Sequence, residues 1–149
     1  MRGFILLAAS VLLTGCEVYS QQKLLKAISM VESGHKDNAV GSRGEQGRYQ
    51  LSRVAWAHIS SLRARKGVKV WSYSAANKMA PASIYAQDYL AIQAGQFKKA
   101  TGRNPSPQEA YAMWNLGFAG FKRRGFKLSR CPSITRRAAA RVATEVLND

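Results

Sequence analysis

The sequence predicts one mainly α-helical domain with a long loop and little or no sheet, and three observations support this. The chain has 149 residues, enough for one domain that buries its own core. Apolar residues recur at helical spacing in five segments, and Ser, Pro and Gly stand where helices begin and end. No heptad pattern, internal repeat or low-complexity tract is present.

The first predicted helix carries a carboxyl group at the edge of its apolar face. Glu32 stands beside that face, and Gly34 supplies the usual stop. A carboxyl group at the border between core and cleft is partly desolvated, which favours the neutral form and suits proton donation near neutral pH. Glu32 is therefore the candidate general acid, and the alternative is a solvated charge near a helix end. The apolar positions are Leu24, Leu25, Ile28 and Val31.

A small and polar segment follows, from residue 35 to residue 51. Three glycines within seven residues mark turns or close backbone approach, and residues 49–51 could be extended. We expect a long loop here. It places two further carboxylates, Asp37 and Glu45, in one segment with Glu32.

The remaining helices are predicted from the residues at their boundaries. Ser106, Pro107 and Glu109 form the clearest signal, a capping box with Pro at the first position, and this helix should stop near residues 115–117. The other three helices are predicted at 52–66 with Ser52 as N-cap, at 81–101 with Pro81 in the first turn, and at 133–146 with Ser133 as N-cap.

The chain is strongly basic. It has 23 Lys and Arg against 8 Asp and Glu, a formal net charge of +15. The partner should therefore be polyanionic or rich in carboxylates, which describes nucleic acid, anionic lipid and bacterial cell wall. No recognised nucleic-acid motif accompanies the charge, so nucleic acid is not expected as a partner.

The N-terminus has the pattern of an export signal. Arg2 precedes an apolar run at residues 4–13, which is too short to span a bilayer. Leu13-Thr14-Gly15-Cys16 resembles a bacterial lipoprotein signal, in which Cys16 is lipidated and becomes the new N-terminus. We therefore expect an exported protein, lipid-anchored to a membrane of the cell envelope. The expected parts are a signal peptide at 1–15, a tether at 16–22 and the folded domain at 23–149.

The cysteines and histidines predict neither a metal site nor a cofactor. If Cys16 carries lipid, Cys131 has no partner and is expected to be a small buried residue. The alternative is a disulfide between these two residues after cleavage elsewhere. His35 and His58 lack metal-ligand spacing.

Three segments resemble, in order, the motifs of lytic transglycosylases of the lysozyme-like superfamily. In that family a Glu-Ser pair ends a helix, a Gly-x-x-Gln segment follows, and a Tyr-Asn-x-Gly turn closes the site. The likeness runs from about residue 24 to residue 146, with departures at Arg48, where an apolar residue is common, and at Trp114, which replaces the usual Tyr and lacks its hydroxyl. The matching segments are Glu32-Ser33-Gly34, Gly47-Arg48-Tyr49-Gln50 and Trp114-Asn115-Leu116-Gly117.

The resemblance implies a lysozyme-like fold and cleavage of the β-1,4 bond between N-acetylmuramic acid and N-acetylglucosamine in peptidoglycan. By analogy, Glu32 protonates the leaving oxygen and then deprotonates the muramic acid 6-hydroxyl, which gives a 1,6-anhydro end without water. Gln50 and Asn115 would bond sugar hydroxyls or acetamides. Tyr49 and Trp114 would offer flat faces to sugar rings, and Ser33 would orient the Glu32 carboxyl group.

Two other functions stay open at this stage. A hydrolytic muramidase would use Glu45, thirteen residues after Glu32, or Asp37 to hold a water opposite the acid. A non-catalytic wall-binding protein would keep the cleft without turnover. The expected substrate-binding residues are Ser33, Glu45, Tyr49, Gln50, Trp114 and Asn115.

Overall fold

The computed structural model describes residues 19–148, which form five α-helices and two short 3₁₀ segments. The predicted mainly helical domain is confirmed, because this part of the chain holds no strand and only isolated bridges of Gln46 with Val40 and Leu51. The helices are α1 (Gln21–Ser33), α2 (Arg53–Arg65), α3 (Met79–Thr101), α4 (Pro107–Arg123) and α5 (Ser133–Asn148), and the 3₁₀ segments are Tyr73–Asn77 and Leu128–Arg130.

Serine side chains cap α1, α2 and α4. Ser20 and Ser52 each accept a backbone N–H of the first helical turn. At α4, Ser106 accepts the N–H of Glu109 at 3.2 Å, and the Glu109 carboxylate accepts the N–H of Ser106 at 2.8 Å, which is the predicted capping box. Arg103 also donates two hydrogen bonds to that carboxylate, at 2.6 and 2.8 Å. The start of α4 is therefore firmly fixed.

The apolar face of α1 is buried as predicted. Leu24, Leu25 and Ile28 are at most 4% exposed, and burial of each stabilises the fold by roughly 1.5–3 kcal/mol. Helix α5 packs on both α4 and α1, and α3 packs on α4. Gly34 ends α1 in a left-handed conformation and donates its N–H to the Met30 carbonyl at 2.9 Å. The end of α1 is thus anchored to the core.

A long loop, residues 34–52, follows α1 and folds back beside it. Gly47 has φ +77°, and a Cβ atom there would overlap the carbonyl oxygen of Ala76. The Tyr73 hydroxyl lies 2.8 Å from the carbonyl oxygen of Leu51 and 3.0 Å from that of Gly44. The 3₁₀ segment that contains Tyr73 and Ala76 therefore supports both halves of the loop.

Helix α4 is kinked where the sequence predicts that it stops. Gly117 has φ 72° and ψ 158°, which interrupts the helical backbone. The chain then resumes the helix because Phe121, fully buried, packs with Phe97, Met113 and Cys131 in a second, smaller core. The predicted stop near residues 115–117 is thus a kink, and it presents Asn115 at a bend.

The N-terminal predictions lie mostly outside the described residues. The signal peptide at 1–15 and Cys16 precede residue 19. Helix α1 begins at Gln21, two residues before the expected start of the domain. Among residues 19–148, no helix is long and apolar enough to cross a membrane.

Candidate active site

An open cleft of about 680 Å³ lies between the end of α1, the long loop, the first turns of α2 and the kink of α4. Glu32 reaches this cleft from α1, Glu45 and Gln50 reach it from the loop, and Trp114 and Asn115 reach it from α4. Three segments that are distant in the sequence therefore meet here. Gly41, Arg43, Tyr89 and Gly117 also line the cleft.

The Glu32 carboxyl group lies where the cleft meets the core. Its Oε1 accepts a hydrogen bond from the Tyr111 hydroxyl at 2.7 Å. Burial raises the pKa of Glu32 above its ordinary value, the Tyr111 hydrogen bond opposes this rise, the negative charge of Glu45 adds to it, and the Arg43 charge opposes it. Because the net change in this pKa is upward, Glu32 keeps a proton at pH values where an ordinary Glu is ionised. A general acid needs this property.

Tyr111 is suited to remain the donor in this pair. Its side chain is 3% exposed. Burial, the charge of Glu32 and the hydrogen bond to Glu32 all raise the pKa of the Tyr111 hydroxyl far above its ordinary value. The hydroxyl therefore stays protonated through the neutral range and stabilises the carboxylate form of Glu32 whenever that form appears.

Replacing Tyr111 by Phe is expected to move the pH dependence of activity. The lost hydrogen bond favours the ionised form of Glu32, so its removal raises the Glu32 pKa further. If the protonated form is required, the alkaline limb of the kcat/KM profile moves to higher pH. The measurement is kcat/KM against pH, with Tyr89→Phe as the control because Tyr89 lines the same cleft but does not donate to Glu32. An alkaline limb that stays in place or moves down would contradict this arrangement.

Glu45 is a second carboxylate in the cleft and is held ionised. Its Oε1 accepts the Nε–H of Arg43 at 2.9 Å, and its Oε2 accepts the backbone N–H of Arg43 at 3.0 Å. Burial alone would raise the pKa of Glu45, but hydrogen bonds from backbone N–H groups and the Arg43 charge lower it below the ordinary value. The cleft thus contains one carboxyl group with a raised pKa and one with a lowered pKa, which is the division expected of an acid and a base.

Gly41 allows the Glu45 and Gln50 side chains to approach the same point. A Cβ atom on Gly41 would lie 2.5 Å from Glu45 Oε2 and 2.6 Å from Gln50 Oε1. The Gln50 amide nitrogen donates to the Gly47 carbonyl at 2.8 Å and to the Ala39 carbonyl at 3.3 Å. Gln50 therefore holds the loop in shape while it lines the cleft.

Trp114 and Asn115 form the wall contributed by α4. The Trp114 ring is 7% exposed and packs edge-on against Tyr89, with 5.2 Å between ring centroids, so only a small part of the ring faces the cleft. Asn115 is exposed, and its Oδ1 accepts a hydrogen bond from Thr135 of α5 at 2.8 Å. That bond orients the side chain and leaves its NH₂ group available to a ligand.

Three residues singled out in the sequence do not line the cleft. The Ser33 hydroxyl lies 2.8 Å from the Arg48 carbonyl oxygen, so it fastens the loop to the end of α1. Tyr49 is 6% exposed and belongs to the core. Asp37 accepts two hydrogen bonds from the Arg48 guanidinium, at 2.6 and 3.1 Å, which lower its pKa. The Ser33 hydroxyl bonds the loop backbone and does not orient Glu32, and the Tyr49 ring packs in the core and does not face a sugar. Both placements differ from the expectation.

Sequence reasoning missed two residues that set the charge state of the site. Tyr111 is given no role by the sequence patterns, although its position three residues before Trp114 puts both on one face of a helix. Arg43 belongs to the polar segment at residues 35–51 and is not singled out there, although it lies two residues before Glu45. Local spacing could have identified both, but not their contacts with Glu32 and Glu45.

Comparison of the chain with known protein families, curated proteins and solved structures found no match. Within residues 19–148, no group of three or more His, Cys, Asp or Glu is placed to hold a metal ion. The side chains that line the cleft include a carboxyl group with a raised pKa, a carboxylate with a lowered pKa, two amides and an aromatic ring.

Proposed function

We propose that this protein is a peptidoglycan lytic transglycosylase with a lysozyme-like fold. It cleaves the β-1,4 bond between N-acetylmuramic acid and N-acetylglucosamine and leaves 1,6-anhydromuramic acid ends. The observation that carries the proposal is the Glu32 carboxyl group, whose pKa is raised by burial and which accepts the Tyr111 hydrogen bond at the edge of an open cleft. The order of the three motifs along the chain adds to it.

The proposed reaction uses Glu32 twice. Glu32 first gives its proton to the glycosidic oxygen of the leaving N-acetylglucosamine as the bond to C1 of the muramic acid breaks. As a carboxylate it then removes the proton from the 6-hydroxyl of the same muramic acid, whose oxygen bonds to C1. No water is consumed, and Glu32 ends protonated. One acid/base residue suffices because the substrate supplies its own nucleophile.

Other residues assist this reaction through charge and hydrogen bonds. Tyr111 stabilises the Glu32 carboxylate between the two steps. The ionised Glu45 supplies negative charge to the cleft while positive charge develops on the sugar. Asn115 and Gln50 are positioned to bond sugar hydroxyls or acetamides, and the exposed part of Trp114 gives an apolar contact.

The proposal places the enzyme in the cell envelope. The Leu13-Thr14-Gly15-Cys16 pattern supports export and a lipid on Cys16. The net charge of +15 favours retention on a wall polymer that carries many carboxylates. The partners are then the glycan strands of peptidoglycan and the membrane that holds the lipid.

Mass spectrometry of the products tests this function directly. Purified peptidoglycan is incubated with the chain, with Glu32→Gln in parallel, and the released muropeptides are weighed. Anhydro ends, lighter by one water and absent with the variant, are the expected result. Reducing ends would identify a hydrolase. No release by a folded protein would overturn the enzyme proposal and leave a wall-binding protein as the better account.

A muramidase is the second candidate, and the ionisation of Glu45 favours it. A carboxylate with a lowered pKa, in the same cleft as a carboxyl group with a raised pKa, is suited to hold and activate a water. Asp37 is less suitable for this role because it is paired with Arg48 and does not line the cleft.

The variant Glu45→Gln separates the two candidates. A transglycosylase should still release anhydro ends, at a rate reduced by up to roughly 10²–10³-fold, because only the charge of Glu45 is lost. A hydrolase should lose roughly 10²–10⁴-fold in the release of reducing ends, because its base is gone. The measurement is the rate of muropeptide release together with the mass of the products, with Asp37→Asn as the control that removes a carboxylate outside the cleft. Reducing ends made by the wild type and lost in Glu45→Gln would contradict the transglycosylase proposal.

A further inference from the structure

Positively charged residues are concentrated in the part of the sequence that follows the cleft residues Trp114 and Asn115. Residues 110–144 include eight Lys and Arg and no Asp or Glu. Six of the eight are Arg, whose planar guanidinium group matches carboxylates in two-point contacts. We call these residues the cationic strip: Lys122, Arg123, Arg124, Lys127, Arg130, Arg136, Arg137 and Arg141.

Among residues 19–148, no carboxylate forms an ion pair with this strip. In the part of the chain that the structure describes, the ion pairs all use arginines outside residues 110–144. Seven of the eight residues of the strip are exposed, and Arg124 is half-buried. Within residues 19–148, the strip therefore has no salt bridge to a carboxylate of the domain. The ion pairs are Arg43–Glu45, Arg48–Asp37, Arg63–Asp88 and Arg103–Glu109.

In α5, the strip lies next to Thr135, which supports the cleft wall. Thr135 donates a hydrogen bond to Asn115, which lines the cleft, and Arg136 and Arg137 directly follow Thr135. Arg141 lies one turn after Arg137 on the exposed side of α5. Its charge acts on the hydroxyl of Tyr111, the residue that donates to Glu32. Positive charge is thus present beside the catalytic wall and continues away from it.

We propose that the cationic strip binds the carboxylates of the peptide stems that project from the glycan strand held in the cleft. This inference rests on the proposed function. The stems are attached to the muramic acid sugars, one of which must lie beside Glu32 for cleavage. A strip that includes the two residues after Thr135, the hydrogen-bond partner of Asn115, is placed to receive them. The substrate is then a stem-bearing strand, and a bare glycan is a poorer one.

The test compares two substrates and two double variants. The substrates are intact peptidoglycan and the same glycan after an amidase has removed its stems. The variant Arg136→Gln/Arg137→Gln removes two charges from the strip and avoids Arg141, which acts on Tyr111. The control Lys98→Gln/Lys99→Gln removes two exposed charges from the end of α3.

Wild type and control are expected to prefer the stem-bearing substrate. The strip variant should reduce the ratio of kcat/KM values between the two substrates by about tenfold, as two partly exposed charge contacts allow. The difference should shrink at about 1 M salt, where the Debye length falls to roughly 3 Å. A purely structural effect of the two substitutions would not depend on salt or on the stems.

Several results would overturn the inference. Equal rates of the wild type on both substrates would leave glycan cleavage established and remove the role of the stems. If no substrate is cleaved, the proposed function fails, and sedimentation of the chain with intact and stem-free wall then decides the inference alone. Binding of phosphatidylglycerol vesicles that depends on Arg136 and Arg137, without dependence on stems, would assign the strip to a lipid surface.

Discussion

Replacing Glu32 by Gln is expected to reduce glycan-strand cleavage by roughly 10²–10⁴-fold, the usual contribution of a general acid or base. The amide keeps the shape of the side chain and can still accept the Tyr111 hydrogen bond at its oxygen. It cannot give a proton to the leaving oxygen or take one from the 6-hydroxyl. The measurement is the initial rate of muropeptide release at the pH optimum of the wild type.

The loss must come from chemistry and not from unfolding. Burial raises the pKa of Glu32, which means that the charged form is disfavoured in the folded state. A neutral replacement should therefore leave the free energy of unfolding unchanged or slightly increased at neutral pH. Glu145→Gln is the matched control, because Glu145 is an exposed residue of α5 that does not line the cleft. Activity of Glu32→Gln within tenfold of the wild type would mean that another group supplies the proton.

Replacing Gly47 by Ala is expected to destabilise the fold by about 2–5 kcal/mol. A side chain at φ +77° costs roughly 1–2 kcal/mol. The added Cβ atom would also overlap the Ala76 carbonyl oxygen, so the loop or the 3₁₀ segment must shift, which costs roughly another 1–3 kcal/mol. Urea unfolding followed by far-UV circular dichroism measures this loss.

Gly44→Ala separates the two costs. Gly44 has a similar backbone conformation, φ +82°, in the same loop, but a Cβ atom there meets nothing within 4 Å. Only the conformational cost of roughly 1–2 kcal/mol is expected for this variant. Equal destabilisation by the two substitutions would show that the close approach to Ala76 contributes nothing.

The sequence predicts the helices well because each is specified locally. The capping box at Ser106, the serine caps and the apolar spacing of α1 depend on residues within one or two turns. The position of Glu32 at the rim of α1 follows from the same spacing. The mainly helical architecture could therefore be predicted without knowledge of how the helices pack.

The state of the site depends on contacts that local patterns do not specify. Tyr111 donates a hydrogen bond to Glu32 only because the tertiary fold brings α4 close to the end of α1. Tyr49 faces the core because the loop turns at Gly47 against Ala76. The segments that carry the motifs meet at the cleft, but the motifs do not specify which side chain of each segment faces it.

The kink of α4 has a similar explanation. Gly117 favours an interruption of the helix, so the sequence predicts that α4 ends there. The helix continues because Phe121 finds a buried place in the second core. Burial of the Phe121 ring thus decides whether α4 ends or only bends at Gly117.

The bond between Tyr111 and Glu32 joins residues 79 positions apart in the chain. A ribosome that has completed α1 has therefore made the carboxyl group without its hydroxyl partner and without the burial that raises its pKa. The unfolded polypeptide carries only an ordinary, ionised Glu at this position. The Glu32 carboxyl group acquires its raised pKa only when the later helices pack against α1. The proton-donating property of this residue therefore depends on the completion of folding.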